Sequence, residues 1–156
     1  MRITHLSLCF FLLVSTISFA QTSNEKKEVL QVVQQFFDAL EKQDSLAWNN
    51  IFLKDARNYY LGERNDTVRT GMQDPFKFGL SPDKIIRERM RERGVVVQVH
   101  QKIAMVWAPY DLWVNETYSH CGVDVFTLLK TSAGWKIASL SFTMEKEGCG
   151  NNSKSK

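Results

Sequence analysis

The chain has 156 residues, of which 44% are hydrophobic and 24% are charged, and its formal net charge is +3. This length is sufficient for one domain with its own core, and ordinary hydrophobic and charged fractions exclude a disordered chain or a coiled coil. So small a net charge excludes the strongly basic surface that nucleic-acid binding requires, and no nucleic-acid partner is predicted.

Residues 1–20 carry the features of a signal peptide. Arg2 gives a basic start, an apolar run follows from Leu6 to Ile17, and Ser18-Phe19-Ala20 fits the small-x-small pattern before a cleavage site. A membrane helix needs about twenty predominantly apolar residues, and this run is shorter. The sequence therefore predicts cleavage after Ala20.

Removal of this segment defines the expected mature protein. It has one domain over residues 21–149 and a disordered tail over residues 150–156. No second hydrophobic run follows, so a secreted or periplasmic protein without a membrane segment is predicted. Cys121 and Cys149 remain, in a compartment that permits disulfides. An intrachain bond and two free thiols are both open outcomes.

Two helices are predicted at the start of the mature chain. In residues 24–42 apolar side chains recur with the 3.6 period and form one stripe. A shorter helix follows, capped by Asp44 or Ser45. The positions predicted to be buried are Val29, Leu30, Val33, Phe36, Phe37, Leu40, Leu46, Trp48, Ile51 and Phe52.

Three further elements precede the main sheet. Ala56–Leu61 and Thr67–Met72 have the composition of a hairpin. Ser81-Pro82-Asp83 combines a capping serine, a proline at the first helical position and an acid, which predicts a helix that ends near Arg93. The charged residues of this helix fit a solvated face better than an anion-binding face. Val95–Gln101 is predicted as a strand.

Three segments rich in β-branched and aromatic residues follow, over 103–114, 117–130 and 135–146. The short polar breaks between them predict two consecutive antiparallel hairpins. Helices first and then a curved antiparallel sheet is an α+β plan.

At this point the chain resembles the nuclear transport factor 2-like superfamily, which includes steroid isomerases and polyketide-cyclase-like proteins. The resemblance lies in FFDALEKQDSLAWNNIFLKDA near the start and in the closing strand GWKIASLSFT, and it covers roughly residues 26–147. It implies an α+β cone, in which a curved antiparallel sheet wraps around the N-terminal helices with a pocket between them. Because this fold hosts enzymes, carriers and interaction modules, the resemblance does not choose a function.

The turn positions predict a register for the sheet. A turn at Asn115-Glu116 places Asp111 opposite His120 and Trp107 opposite Asp124. A turn at Ser132-Ala133 places Asp124 opposite Ser141. One face is then mixed, with Trp107, Asp111, Trp113, Tyr118, His120, Asp124, Phe126, Trp135, Ile137, Ser139 and Ser141. The other is smooth and apolar, with Val106, Ala108, Tyr110, Leu112, Val123, Val125, Ala138, Leu140 and Phe142.

The mixed face has the composition of a ligand pocket. In the steroid-isomerase branch, pocket residues of the last strand match Ser139, Ser141 and Thr143, so the resemblance implies that this face lies inside the cone. The superfamily commonly dimerises through its sheet, so the smooth face is predicted to form a homodimer. The predicted ligand-binding residues are Trp107, Asp111, Tyr118, His120, Asp124, Phe126, Ser139 and Ser141.

Asp124 and His120 are the candidates for chemistry. Burial beside Trp107 would raise the pKa of Asp124 toward that of a general base. Alternatively, Asp124 is structural and hydrogen-bonds to Ser141 or to a backbone amide. His120, between Asp111 and Glu145, is either an acid–base histidine or a salt-bridged residue near the sheet end. The sequence has no metal-ligand spacing, phosphate loop or nucleophile elbow, so neither a metal nor a cofactor is predicted.

These patterns favour an exported domain that binds a small apolar or aromatic molecule. Two alternatives stay open. One is an isomerase, dehydratase or cyclase with Asp124 or His120 as general base. Against it, Phe36 and Phe37 stand near the place where the superfamily's isomerase has an early-helix tyrosine. The other is a dimeric interaction module whose pocket is filled by its own aromatic side chains.

Overall fold

The computed structural model describes residues 6–64, 66–77 and 84–150, with their side chains from Thr22 onward except that of Arg64. Two helices precede seven strands in these residues. Among the described residues, no helix combines the length and the hydropathy that a membrane crossing needs. The side chains of the predicted signal peptide and residues 151–156 of the predicted tail lie outside this set, and both features stay predictions.

Both predicted helices are present, but the first begins at Leu6 instead of residue 24, and Leu46 in the second, which was predicted to be buried, is 72% exposed. Helix α1 spans Leu6–Lys42 and helix α2 spans Ser45–Ile51. Asp44 caps α2, because its Oδ1 accepts hydrogen bonds from two backbone amides of the first turn, at 3.1 and 3.0 Å. The stripe of α1 packs into the core, where Val29 and Val33 are fully buried.

The strands are β1 (Phe52–Arg64), β2 (Thr67–Gln73), β3 (Ile86–Met90), β4 (Val96–His100), β5 (Ile103–Val114), β6 (Thr117–Thr131) and β7 (Gly134–Met144). They form one sheet in the order β2-β1-β7-β6-β5-β3, and β4 also pairs with β5. Because β1 and β7 run parallel, the sheet is mixed rather than wholly antiparallel as predicted. The predicted α+β cone, with helices followed by a curved sheet, is confirmed.

The prediction of a helix that ends near Arg93 is wrong. Residues 86–90 form β3, which pairs with the second half of β5, while β4 pairs with its first half. Without β3, backbone groups along the second half of β5 would lack partners. This pairing overrides the local helix preference. The predicted start at Ser81-Pro82-Asp83 lies outside the described residues.

The predicted register holds beside each turn and is wrong beyond it. Asn115 and Glu116 both have positive φ, 47° and 66°, as a two-residue hairpin turn requires. A bulge then shifts the pairing by one residue, so that Leu112 rather than Asp111 lies opposite His120.

In the second hairpin, too, the predicted register is correct beside the turn and wrong beyond a bulge. Its turn is correctly predicted, but a bulge at Ala138 places Asp124 opposite Phe142 instead of Ser141. Because a shift of one residue exchanges the two faces of a strand, the predicted mixed and smooth faces do not exist as such.

The observed sheet has an inner face toward the helices and an outer face away from them. Even-numbered residues of β5, and those of β6 from His120 onward, point inward, and Val106, Ala108 and Phe126 are fully buried there. The odd-numbered residues Trp107 and Val125, which were predicted on opposite faces, lie opposite each other on the outer face.

The C-terminal segment is tied back over β6. Cys121 and Glu145 exchange two backbone hydrogen bonds, at 3.0 and 2.8 Å. A disulfide joins Cys121 to Cys149, with their Cα atoms 5.5 Å apart. Of the two outcomes that the sequence left open, the structure therefore has the intrachain bond.

Candidate functional site

A cavity of about 260 Å³ lies between the helices and the inner face of the sheet, and we call it the inner cavity. Its aromatic wall residues are Phe36, Trp48, Tyr60, Tyr110 and Phe142. Four polar residues, which we call the floor, also line it: Asn58, Gln73, Glu88 and Asp124. Aromatic walls with a few polar groups are typical of small-molecule sites.

The strands bring the floor together from distant parts of the sequence. Asn58 and Gln73 lie opposite each other on β1 and β2. Glu88 comes from β3 and Asp124 from β6. Both carboxyl groups are buried, with 8% of Glu88 and 1% of Asp124 exposed.

Glu88 and Asp124 form a carboxyl pair. They lie close enough for each to affect the pKa of the other, and two buried carboxyl groups this close can share a proton. Burial raises the pKa of Glu88 from 4.5 to about 7. Burial, and then the charge of Glu88, raises the pKa of Asp124 well above its ordinary value. The pair therefore holds a proton at a pH where exposed carboxyl groups are ionised.

Three oxygen atoms of the floor are fully buried and have no hydrogen-bond partner among the described residues. They are Asn58 Oδ1, Gln73 Oε1 and Asp124 Oδ2. Leaving a buried acceptor without a partner costs about 1–3 kcal/mol. A molecule that donates hydrogen bonds to these atoms would remove this cost.

Two other titratable residues beside the floor, His120 and Tyr110, are neutral near pH 7. Burial, and then the charges of Lys146 and Lys84, lowers the pKa of His120 below 6.5. The Tyr110 hydroxyl donates to the carbonyl oxygen of Thr143 at 2.5 Å, and burial raises its pKa. Lys84 also lines the cavity, but it is exposed.

Of the predicted ligand-binding residues, the structure places His120 and Asp124 on the inner cavity. Phe126 also faces inward but packs in the core, with its ring centroid 5.2 Å from that of Phe36. Asp124 lies opposite Ala108, not beside Trp107, and Ser141 is on the outer face, so both predicted neighbours of Asp124 are wrong.

The remaining predicted residues lie on the outer face. Asp111 binds the Arg91 guanidinium through both of its oxygens, at 3.0 and 2.7 Å, and accepts a hydrogen bond from the Tyr118 hydroxyl at 3.1 Å. Burial, and then this hydrogen bond, raises the pKa of Tyr118 to about 12. Arg91 also donates to the carbonyl oxygen of Cys149, so the cluster anchors the tail. Ser139 lies opposite Thr127 and Arg57.

Sequence reasoning missed Asn58, Gln73 and Glu88. Glu88 was assigned to the solvated face of a helix, although the apolar residues Ile86 and Met90 lie two positions before and after it, at the alternate spacing of one strand face. Such alternation indicates a strand, and it could have placed Glu88 on an inward face. Asn58 and Gln73 gave no comparable signal, because their roles depend on the pairing of β1 with β2.

A second concavity, the outer groove, crosses the outer face. Across five strands, Trp107, Val125, Ser141, Tyr59 and Met72 lie opposite one another in turn. The groove has a volume of about 580 Å³ and is almost entirely apolar. Its composition differs from that of the inner cavity, because it has no buried polar floor among the described residues.

Residues 24–143 match the family described as "Putative lumazine-binding". The chain belongs to this family. The match includes every residue of the floor. No curated protein matches the chain by sequence.

Solved structures show that this member of the Putative lumazine-binding family has the nuclear transport factor 2-like fold. A superfamily protein from Salmonella enterica serovar Typhimurium matches with a TM-score of 0.63 at 14% identity, over 83% of this chain and 98% of that one. A protein of unknown function from Silicibacter pomeroyi matches with a TM-score of 0.54 at 20% identity, over 80% and 98%. A "putative dehydratase" from Streptomyces avermitilis matches with a TM-score of 0.60 at 14% identity, over 78% and 96%. At sequence identities this low, the similarity of these structures establishes the fold alone and does not indicate a function.

Proposed function

We propose that this protein is an exported binding domain that holds a small, flat molecule in the inner cavity. The observation that carries the proposal is the floor, where buried acceptors without described partners lie beside aromatic walls. The description of its family, "Putative lumazine-binding", supports a heterocyclic ligand. The volume of the inner cavity is close to the lower end of the range for drug-sized ligands, roughly 300–1,000 Å³, so the ligand is small.

The floor also argues against the interaction module with a self-filled pocket. A pocket that its own side chains fill would be expected to satisfy its buried polar atoms internally. Here Asn58 Oδ1, Gln73 Oε1 and Asp124 Oδ2 are buried without described partners. These atoms favour a molecule that comes from outside the chain.

Asp124→Asn tests the proposed site. We expect the variant to fold and to lose ligand affinity by about 1–3 kcal/mol, because an amide NH₂ group, which cannot accept a hydrogen bond, replaces one of the two carboxyl oxygens. Small molecules released from gently purified wild-type and variant proteins are compared by mass spectrometry, alongside thermal melts. Asp55→Asn is the matched control, since Asp55 is exposed on β1. A normal ligand load on a destabilised Asp124→Asn protein would mean that Asp124 only supports the sheet.

A proton-transfer enzyme is the second candidate. The observation in its favour is the carboxyl pair, because the pKa of Glu88 near 7 suits a general acid or base at neutral pH. The released molecule discriminates between the two functions. Incubated with the protein in heavy water, it keeps its carbon-bound hydrogens and its structure if the protein is a carrier, whereas an enzyme of this class exchanges carbon-bound hydrogen for deuterium, isomerises the molecule or removes water from it.

Export is supported by the composition of residues 1–20, with a basic start and a short apolar run before Ala20. We expect Gln21 to be the N-terminus of the mature protein. N-terminal mass analysis of protein from its native host checks this, and retention of residues 1–20 would contradict export.

The homodimer was predicted through a smooth face that does not exist as such, and the outer groove supports a homodimer in its place. It exposes a row of apolar side chains, including Trp107 (44% exposed), Tyr59 (47%) and Met72 (60%). An apolar patch of this kind is a liability for a monomer. A standard interface would bury roughly 800 Å² on each partner.

Val125→Arg places a charge in this row beside Trp107, and we expect it to produce monomers on size exclusion with light scattering. Leu46→Arg is the matched control, because Leu46 is an exposed apolar residue (72%) on α2, away from the groove. It should leave the dimer intact. A dimeric Val125→Arg protein would show that this face is not the interface.

A further inference from the structure

We propose that the inner cavity selects a flat nitrogen base that presents several N–H groups to the floor, of the class of diamino-substituted heterocycles. A carbonyl-rich heterocycle such as lumazine itself is then the poorer ligand. This inference rests on the proposed function, because it names the ligand class of the same cavity.

The hydrogen-bonding capacity of the floor is the first argument. Asn58 Oδ1 and Gln73 Oε1 are acceptors without described partners, on paired positions of β1 and β2. A ligand N–H can satisfy such an atom, whereas a ligand carbonyl repels it. The oxygens of the carboxyl pair are further acceptors. They are acceptors even if the side-chain amides of Asn58 and Gln73 are rotated so that their oxygen and nitrogen atoms exchange places.

The charge of the floor is the second argument. The raised pKa values keep the pair protonated near pH 6.5, and transfer of one of its protons to a basic heterocycle would leave one negative charge on the floor. Among the described residues that line the cavity, the basic ones are Lys84, which is exposed, and His120, whose pKa is lowered. The buried charge is therefore not neutralised from within the cavity. A protonated heterocycle would neutralise it through charge-assisted hydrogen bonds.

The walls are the third argument. Phe36, Trp48 and Phe142 line the cavity and offer aromatic faces and edges to a planar ring. A flexible aliphatic amine would satisfy the floor but would gain less from these walls. The combination of aromatic walls with an acceptor-rich, negatively charged floor specifies a planar base.

The test compares lumazine with 2,4-diaminopteridine, which has the same bicyclic size but amino groups in place of the two carbonyl groups. Calorimetric titration of the wild-type protein at about pH 6.5 should show 2,4-diaminopteridine binding at least ten-fold more tightly. Ten-fold corresponds to about 1.4 kcal/mol, within the range of a charged hydrogen bond. The preference should fall several-fold in Glu88→Gln/Asp124→Asn and persist in Glu92→Gln, whose side chain is exposed.

The wild-type comparison decides the inference even if the double variant fails to fold. Equal or tighter binding of lumazine would overturn the ligand class while leaving the inner cavity as the binding site. Failure of both compounds to bind at millimolar concentration would also overturn the ligand class. The proposed function would then be judged separately, by the molecules released from the purified protein.

Discussion

Raising the pH from about 4.5 to about 8 should lower the unfolding free energy of the wild-type protein by about 3 kcal/mol through Glu88 alone. The pKa of this carboxyl group rises from 4.5 to about 7 on folding, chiefly through burial. Each unit of difference between the folded and unfolded pKa values corresponds to about 1.4 kcal/mol. Between the two pKa values the folded protein keeps a proton that the unfolded chain releases, so stability decreases as the pH rises.

The groups that face the carboxyl pair do not reverse this direction. The pKa of Tyr110 is raised, so it stays protonated over this range. The lowered pKa of His120 acts in the opposite direction, because the unfolded chain binds a proton there more readily than the folded protein does, but this contribution cancels when the wild type is compared with a variant of the pair. Lys84 is exposed to solvent, where its attraction for the pair is screened. The raised pKa of Asp124 acts in the same direction as that of Glu88.

Urea unfolding curves at several pH values measure the effect. Glu88→Gln/Asp124→Asn keeps the shapes of both side chains and removes both protons. Relative to the wild type, this variant should therefore gain about 3 kcal/mol or more between about pH 5 and pH 8. Glu92→Gln alters an exposed carboxyl group and should follow the wild-type curve. Parallel curves for the wild type and the double variant would show that the pair is not protonated in the folded protein.

Loss of the disulfide should cost about 3–4 kcal/mol of unfolding free energy. The bond joins residues 28 apart in sequence, and in the chain-entropy model a loop of this length restricts the unfolded state by about that amount. It also holds the segment whose Cys149 carbonyl receives a hydrogen bond from Arg91. Cys121→Ala/Cys149→Ala should therefore melt roughly 10 °C below the wild type.

Reduction gives an independent control. In excess reductant the wild type should approach the double variant, because both then lack the cross-link. A double variant within about 1 kcal/mol of the oxidised wild type would contradict the expectation. Peptide mapping without reductant gives a direct check. If it finds two free thiols in the exported protein, the bond does not form.

The elements of this fold could largely be predicted from the sequence, because they depend on local patterns. The stripe of α1, the cap at Asp44 and the turn at Asn115-Glu116 each record a local preference, and the structure confirms all three. β3 could not be predicted in this way. Its strand conformation depends on pairing with the second half of β5, which is distant in sequence.

The candidate site was harder to predict, because it depends on register. Two bulges, near Ser119 and at Ala138, each shift the pairing by one residue. Asp124 and His120 kept their predicted inward direction, since the shift affected their neighbours on β5 and β7. Trp107 and Ser141 moved to the outer face for the same reason. Nothing local in the sequence marks a bulge of this kind, although each one decides which side chains meet.

The methionine methyl groups provide the most direct test that the inner cavity is the ligand site. Met144 lines the inner cavity, Met72 lines the outer groove, and Met105 lines a separate surface depression. Protein labelled with carbon-13 at these methyl groups is titrated with 2,4-diaminopteridine and with lumazine, and Met144→Leu assigns the decisive signal. We predict that the ligand shifts the Met144 signal and leaves those of Met72 and Met105 in place. A shift at Met72 without one at Met144 would contradict the account.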